Sequence, residues 1–155
     1  MADIDACKFL YLAEAVGAPG NSLRLVLDEA SAGPKPTSYA SVLDGFPAGD
    51  RAAIATVLSG SSPIEHSSDD RTFEVTWEGY VAFAITDETF ALGESGSPAD
   101  GSSLFEEFRE SKFLDYIASS THNHFKEERR HWSIYCLNHC IDVVSTTPPT
   151  IRLIQ

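Results

Sequence analysis

Arg130-His131-Trp132-Ser133-Ile134-Tyr135-Cys136-Leu137-Asn138-His139-Cys140-Ile141-Asp142-Val143-Val144 is the densest apolar stretch of the chain, and its reading decides the fold. Aromatic and β-branched side chains dominate it, as in a buried strand pair. Pairing Trp132 to Leu137 with Cys140 to Val144 around Asn138-His139 gathers Trp132, Ile134, Cys136, Ile141 and Val143 on one face. A single long strand offers no such face. The sequence therefore predicts a β-hairpin at the centre of the fold, closed by Pro148-Pro149 and followed by a short edge strand over Ile151-Arg152-Leu153-Ile154.

Upstream, Thr72-Phe73-Glu74-Val75-Thr76-Trp77 and Tyr80-Val81-Ala82-Phe83-Ala84-Ile85-Thr86 alternate with period two about Glu78-Gly79. They read as a second hairpin, with Phe73, Val75 and Trp77 beside Ala84, Ala82 and Tyr80. The later strand, apolar on both faces, is expected inside the sheet and the Phe73 strand nearer an edge. Phe9 to Ala13 and Leu23 to Leu27 read as strands joined by a loop over Val16 to Asn21, although the first segment also fits a helix starting near Asp3 or Asp5 and stopping at Gly17. The Gly- and Pro-rich residues from Asp28 to Asp50 predict a surface excursion. Arg51 to Leu58 predicts a short helix capped by Asp50 and stopped at Ser59-Gly60. After the polar loop of Gly93 to Ser102, Ser103-Leu104-Phe105-Glu106 matches a capping box. It opens a helical region from Ser103 to Ala118 whose two apolar stripes, Leu104/Phe105/Phe108 and Phe113/Tyr116/Ile117, require a break near Ser111. His122 to Arg130 is polar and should cross the surface. The expected fold class is α+β: a mainly antiparallel sheet of about five to seven strands with the Ser103 to Ala118 helix on one face, in a single domain over residues 1–155.

Composition narrows the function classes. With 43% hydrophobic and 22% charged residues the chain has the makeup of a globular domain. Its formal charge of −12 repels nucleic acid and anionic membrane surfaces and suits a basic protein partner. Three cysteines, with no charged and apolar leader at the start, point to a reducing cytoplasm, and no apolar run approaches the length of a membrane span.

Trp77-Glu78-Gly79-Tyr80-Val81-Ala82-Phe83, Phe113-Leu114-Asp115-Tyr116 and Leu137-Asn138-His139-Cys140-Ile141-Asp142-Val143-Val144-Ser145 resemble segments of a set of short uncharacterised bacterial proteins. The resemblance covers the C-terminal half and implies a bacterial cytoplasmic origin without an activity or a site.

Three chemistries compete. His122, His124, His131 and His139, with Cys136, Cys140 and Asp142, carry the ligand types of zinc and would serve a metal-dependent hydrolase. In the hairpin register, however, Cys136 and Cys140 point to opposite faces and share neither an ion nor a disulfide. A cysteine nucleophile beside His131 or His139 would need an exposed thiolate, whereas cysteine in an apolar strand packs as a small hydrophobe. Gly-rich phosphate loops, a Gly-x-Ser-x-Gly elbow and a His-Glu-x-x-His motif are missing from the sequence. The sequence thus favours a non-enzymatic, cofactor-free acidic module that binds a basic protein, in the manner of an immunity protein, with Tyr80, Phe90 or Tyr116 as apolar anchors. A small-ligand protein using an aromatic pocket of Trp77, Tyr80, Trp132 and Tyr135 is the alternative.

Overall fold

The computed structural model describes residues 4–91, 103–121 and 128–155. Its strands are β1 (Phe9–Ala18), β2 (Ser22–Ala32), β3 (Ile64–Glu65), β4 (Thr72–Glu78), β5 (Tyr80–Asp87), β6 (Phe105–Phe108), β7 (Arg130–Tyr135), β8 (His139–Ser145) and β9 (Thr150–Leu153). Its helices are α1 (Ala40–Leu43), α2 (Arg51–Leu58) and α3 (Lys112–Ser120). The α+β class with antiparallel sheets is as expected, but the strands form two sheets. One runs β1-β2-β4-β9, with β3 pairing the end of β2; the other runs β5-β8-β7-β6.

The two sheets share one core. Leu23, Leu25 and Leu27 of β2 and Phe73, Val75 and Trp77 of β4 project from the first sheet. Trp132, Ile134, Ile141 and Val143, with Cys136, project from the second, and all are buried. Trp77 and Trp132 meet edge-on between the sheets, ring centroids 6.3 Å apart, the offset that the aromatic quadrupole favours. The final hairpin forms with the predicted face inward, but its register, Trp132↔Val143 and Ile134↔Ile141, is two residues from that of a turn on Asn138-His139: β7 ends at Tyr135, and Cys136, Leu137 and Asn138 make the loop. The edge strand β9 also forms, against β4.

The Thr72 to Thr86 hairpin does not form. Both strands exist, but β4 pairs with β2 and β9 while β5 pairs with β8. Gly79 alone separates them, one residue fewer than a tight hairpin needs. The chain therefore turns a corner from one sheet into the other. Gly79 takes φ 90°, a conformation that favours glycine, and its N–H and that of Tyr80 both donate to the Asn21 carbonyl (3.0 and 2.9 Å). The edge assignment is reversed as well: β4 lies inside its sheet and β5 is an outer strand.

Other boundaries shift for local reasons. β1 and β2 run on to Ala18 and Ser22, shrinking the loop to three residues, with Gly20 and Asn21 at positive φ. Helix α2 has the predicted span, but Asp50 is itself helical in φ and ψ and its carboxylate makes no capping bond. The predicted Ser103 capping box is replaced by strand β6. Helix α3 begins instead at Ser111, whose hydroxyl accepts from Leu114 N–H (3.0 Å). The break near Ser111 is thus the start of the helix, and the first apolar stripe belongs to a strand.

Candidate functional site

Helix α3 covers the face of the second sheet that points away from the core, and beneath it lies a cluster of polar side chains. His131 on β7 has no exposed surface. Phe108 stacks on its ring and Phe113 tilts against it, each with centroids 5.3 Å away. The neighbouring strand supplies Asp142, whose Oδ1 lies 2.9 Å from His131 Nε2, and Ser133 donates to the same oxygen at 2.6 Å. On the other side of the ring, Ser111 Oγ lies 2.9 Å from Nδ1.

A carboxylate can only accept, so Nε2–H donates to Asp142, while the Ser111 hydroxyl, which accepts from Leu114 N–H, shares a hydrogen bond with Nδ1. Serine, histidine and aspartate are thus in line, an order that serves nucleophilic catalysis where the serine faces a substrate. Here the ring is sealed between two phenylalanines, and Ser111 is engaged as the cap of α3. A sealed imidazole cannot pass a proton to a leaving group, so the arrangement acts as a polar clamp holding α3 to the sheet.

The sequence-predicted histidines do not converge. His131 pairs opposite Val144, whereas His139 lies five residues along the same strand, roughly 17 Å away at strand rise. His139 faces Asp87 across the ladder, and its Nδ1 is buried without a hydrogen-bond partner. His122 and His124 lie outside the described residues. Among the described residues no group of three or more His, Cys, Asp or Glu side chains is placed to hold a metal ion.

The four aromatic residues are likewise separated. Trp77 and Trp132 fill the core, and Tyr80 packs beside it against Phe83. Tyr135 points to the opposite face, where its hydroxyl donates to Glu106 Oε2 (3.2 Å). An open cleft of about 630 Å³ is walled by Glu107, Glu128, Arg130, Trp132, Thr146, Thr147 and Pro148. Of the four aromatics, Trp132 alone reaches it, by the 2% of its surface left exposed. Arg130, which could attract an anion there, is already paired with Glu107 and Glu128.

Cys7 and Cys136 are buried and Cys140 is half-buried, all three as free thiols. Burial, with the nearby Cys140 as a lesser cause, pushes the Cys136 thiol up to about 12. Burial, reinforced by Asp142 and Glu88, also raises Cys140. Neither is a thiolate at neutral pH, the reverse of what a nucleophile needs. A raised folded-state value favours the protonated thiol, so the Cys136 contribution to stability is full below the unfolded value near 9 and is lost as pH rises toward 12. In the native protein at pH 8 we expect Cys136 to resist a disulfide reagent until the chain is unfolded in denaturant. Rapid labelling of Cys136 in the folded state would contradict this burial.

The acidic charge is distributed unevenly with respect to the bases. Arg24 bridges Glu14 and Glu74 (2.6 Å each), Arg71 holds Glu29 (2.7 Å), and Arg51 reaches Asp44 (3.4 Å). Hydrogen bonding from Arg71 holds the Glu29 carboxyl below the usual carboxylate range. Exposed acids such as Glu65, Asp69, Asp87, Glu88, Glu110 and Asp115 have no ion-pair partner among the described residues. Beside Asp87 and Glu88, Phe90 is 80% exposed, and Tyr116 on α3 is exposed too.

No protein-family model, curated protein or solved structure matches the chain.

Ser111 and Ser133 are the members of the clamp that sequence reasoning missed. A hydroxyl becomes a partner of His131 only once β6, α3 and β8 are placed around it. The one available signal was local: Ser111 precedes an apolar i, i+3/i+4 pattern, Leu114 and Ile117, as an N-cap does.

Proposed function

We propose that the protein is a non-enzymatic acidic module that engages a basic protein in the bacterial cytoplasm, in the manner of an immunity-type inhibitor. The observation that carries this reading is the pairing of its arginines. Arg24, Arg51, Arg71 and Arg130 are each held by the chain's own carboxylates, so the surplus acids face solvent with few neighbouring cations to cancel them. Such a surface steers a cationic partner from beyond contact distance. The bare Phe90, with Asp87 and Glu88 beside it, combines the apolar anchor and the charged rim of a binding surface.

The reading is tested by affinity purification from a bacterial lysate at two ionic strengths, using the natural protein and the double variant Asp87→Lys, Glu88→Lys. Raising salt from about 0.1 M to about 1 M shortens the Debye length from ~10 to ~3 Å. A basic protein should be retained at the lower salt, diminish several-fold at the higher, and be lost with the variant. Retention of nothing, or retention indifferent to both salt and charge reversal, would sink the proposal.

A further inference from the structure

We infer that the seam between the free edges of β1 and β5 takes up an extended, lysine- or arginine-bearing segment of the partner as an added strand of the second sheet. This rests on the acidic-module reading and assigns it a binding mode.

The two strands are the outer members of their sheets, and they are linked at two places that come in opposite order along the two strands. At one end Asn138 ties them together. Its Oδ1 accepts from Leu12 N–H (2.9 Å), its Nδ2 donates to the Leu12 carbonyl (3.0 Å), and its own carbonyl accepts from Glu88 N–H, just past β5. At the other end a Cβ on Gly17 would sit 3.8 Å from the Tyr80 hydroxyl. Between these two pins no described group hydrogen-bonds the outer edge of β5, nor that of β1 beyond Leu12. Among the described residues, the backbone N–H and C=O groups that point outward along β5 meet no partner, which leaves them to a strand about 4.8 Å away.

The core is unfinished along this seam. Val143 and Ile141 on β8 have no exposed surface, yet their ladder partners Phe83 and Ile85, one strand further out on the same face, are each 37% exposed. Across the seam, β1 presents Ala15 and Gly17 at the positions opposite Leu25 and Leu23 and so adds no bulky side chain of its own, although at the Gly17 end the Tyr80 ring, packed on Phe83, reaches across the gap. An added strand would extend the buried row by one position. Past the irregularity between Tyr80 and Ala82, β5 carries little of the usual protection of an edge. From Ala82 to Thr86 it has no proline and no charge, and such an edge invites strand addition unless it has an occupant.

Charge selects that occupant. Asp87 and Glu88 stand exposed at one end of the seam and Glu78 at the other, none of them ion-paired among the described residues, and the chain carries −12 overall. A second copy would bring the same charge to the same place and is disfavoured. A basic segment with apolar residues at alternate positions satisfies the open backbone, covers Phe83 and Ile85, and neutralises the rim.

The test uses a synthetic seven-residue peptide of alternating lysine and valine, and the same peptide N-methylated at alternate residues, which keeps its charge but removes hydrogen-bond donors. Affinity is measured at low salt, and amide hydrogen exchange is followed by NMR. The unmodified peptide should bind at least tenfold more tightly than the methylated one and should slow exchange of amides within Val81 to Asp87. Ile85→Lys, on a partly exposed side chain and checked for folding by circular dichroism, should weaken binding by a similar factor. Equal binding of the two peptides, or protection elsewhere, would overturn the seam while leaving an acidic surface that binds by charge alone. Failure of both peptides to bind would count against both readings. Protection of the outward β5 amides already in the free protein would also overturn the proposal, and a dimer in sedimentation would then assign the edge to a second copy.

Discussion

Truncating Trp77 to alanine should cost about 3–5 kcal/mol of unfolding free energy, the range for removing a buried aromatic side chain without collapse of the space it leaves. The expectation is at the severe end of single substitutions because of where the ring stands. Trp77 is fully buried at the end of β4, immediately before the Gly79 corner, and meets Trp132 of the facing sheet edge-on. Its loss removes contacts on both sheets at the place where the chain passes between them. Domains of this kind have about 5–15 kcal/mol in total, so the variant should sit near the limit of folding. Urea titration followed by the remaining Trp132 emission is the measurement. Val57→Ala on helix α2, where the side chain is 72% exposed, should shift the midpoint little and serves as the reference. A Trp77→Ala midpoint within error of that reference would mean that the two sheets do not pack as described.

Replacing His131 with alanine should be nearly as damaging, by about 2–4 kcal/mol, through a different mechanism. The buried ring bonds Ser111 on one side and the partly exposed Asp142 on the other, and losing these two hydrogen bonds costs about 0.5–1.5 kcal/mol each beyond the lost packing against Phe108 and Phe113. The damage should be directional. The Ser111 hydroxyl caps α3 and is itself held by the imidazole, so α3 should open at lower denaturant than the core. Limited proteolysis should cut within Lys112–Ser120 in His131→Ala before any site in β2 or β4. Cleavage of all regions together, with no preference for α3, would refute the clamp.

How much of this was legible in the sequence depends on what each feature required. The β7–β8 hairpin and its inward face were legible because its two strands are adjacent and their apolar residues alternate in phase, but the register was not, since a slip of two residues keeps the same side chains inward. Helix α2 was legible from alanine-rich composition and a Ser-Gly stop. The β4–β5 hairpin was misread although both strands were found. Period-two alternation records which residues face inward, not which sheet they face into, and nothing local distinguishes a tight turn from a corner except the single residue between Glu78 and Tyr80. Strand β6 was misread because Leu104, Phe105 and Phe108 fit a helical stripe as well as a strand, and pairing with β7 decided the matter. The clamp was half legible: His131 and Asp142 stood out as chemistry-bearing residues, but they were weighed as candidate metal ligands, and His131 as the partner of a cysteine nucleophile, never as partners of each other. Their actual partners, two serines, are too common in sequence to mark a site.

The Gly79 corner also sets the order in which the molecule can be built. Because β4 and β5 part company there, each must wait for distant chain: Phe73 pairs with Leu153, and Ile85 with Ile141. The β1–β2 and β7–β8 hairpins close locally, but the first sheet is complete only when β9 from the far end of the chain reaches β4, and the second only when β5 reaches β8 across the intervening β6, α3 and β7. Such non-local pairing places folding in the slow regime of β-rich topologies. During that interval β4, apolar on its inner face and open on one edge, is the strand most exposed to a wrong partner.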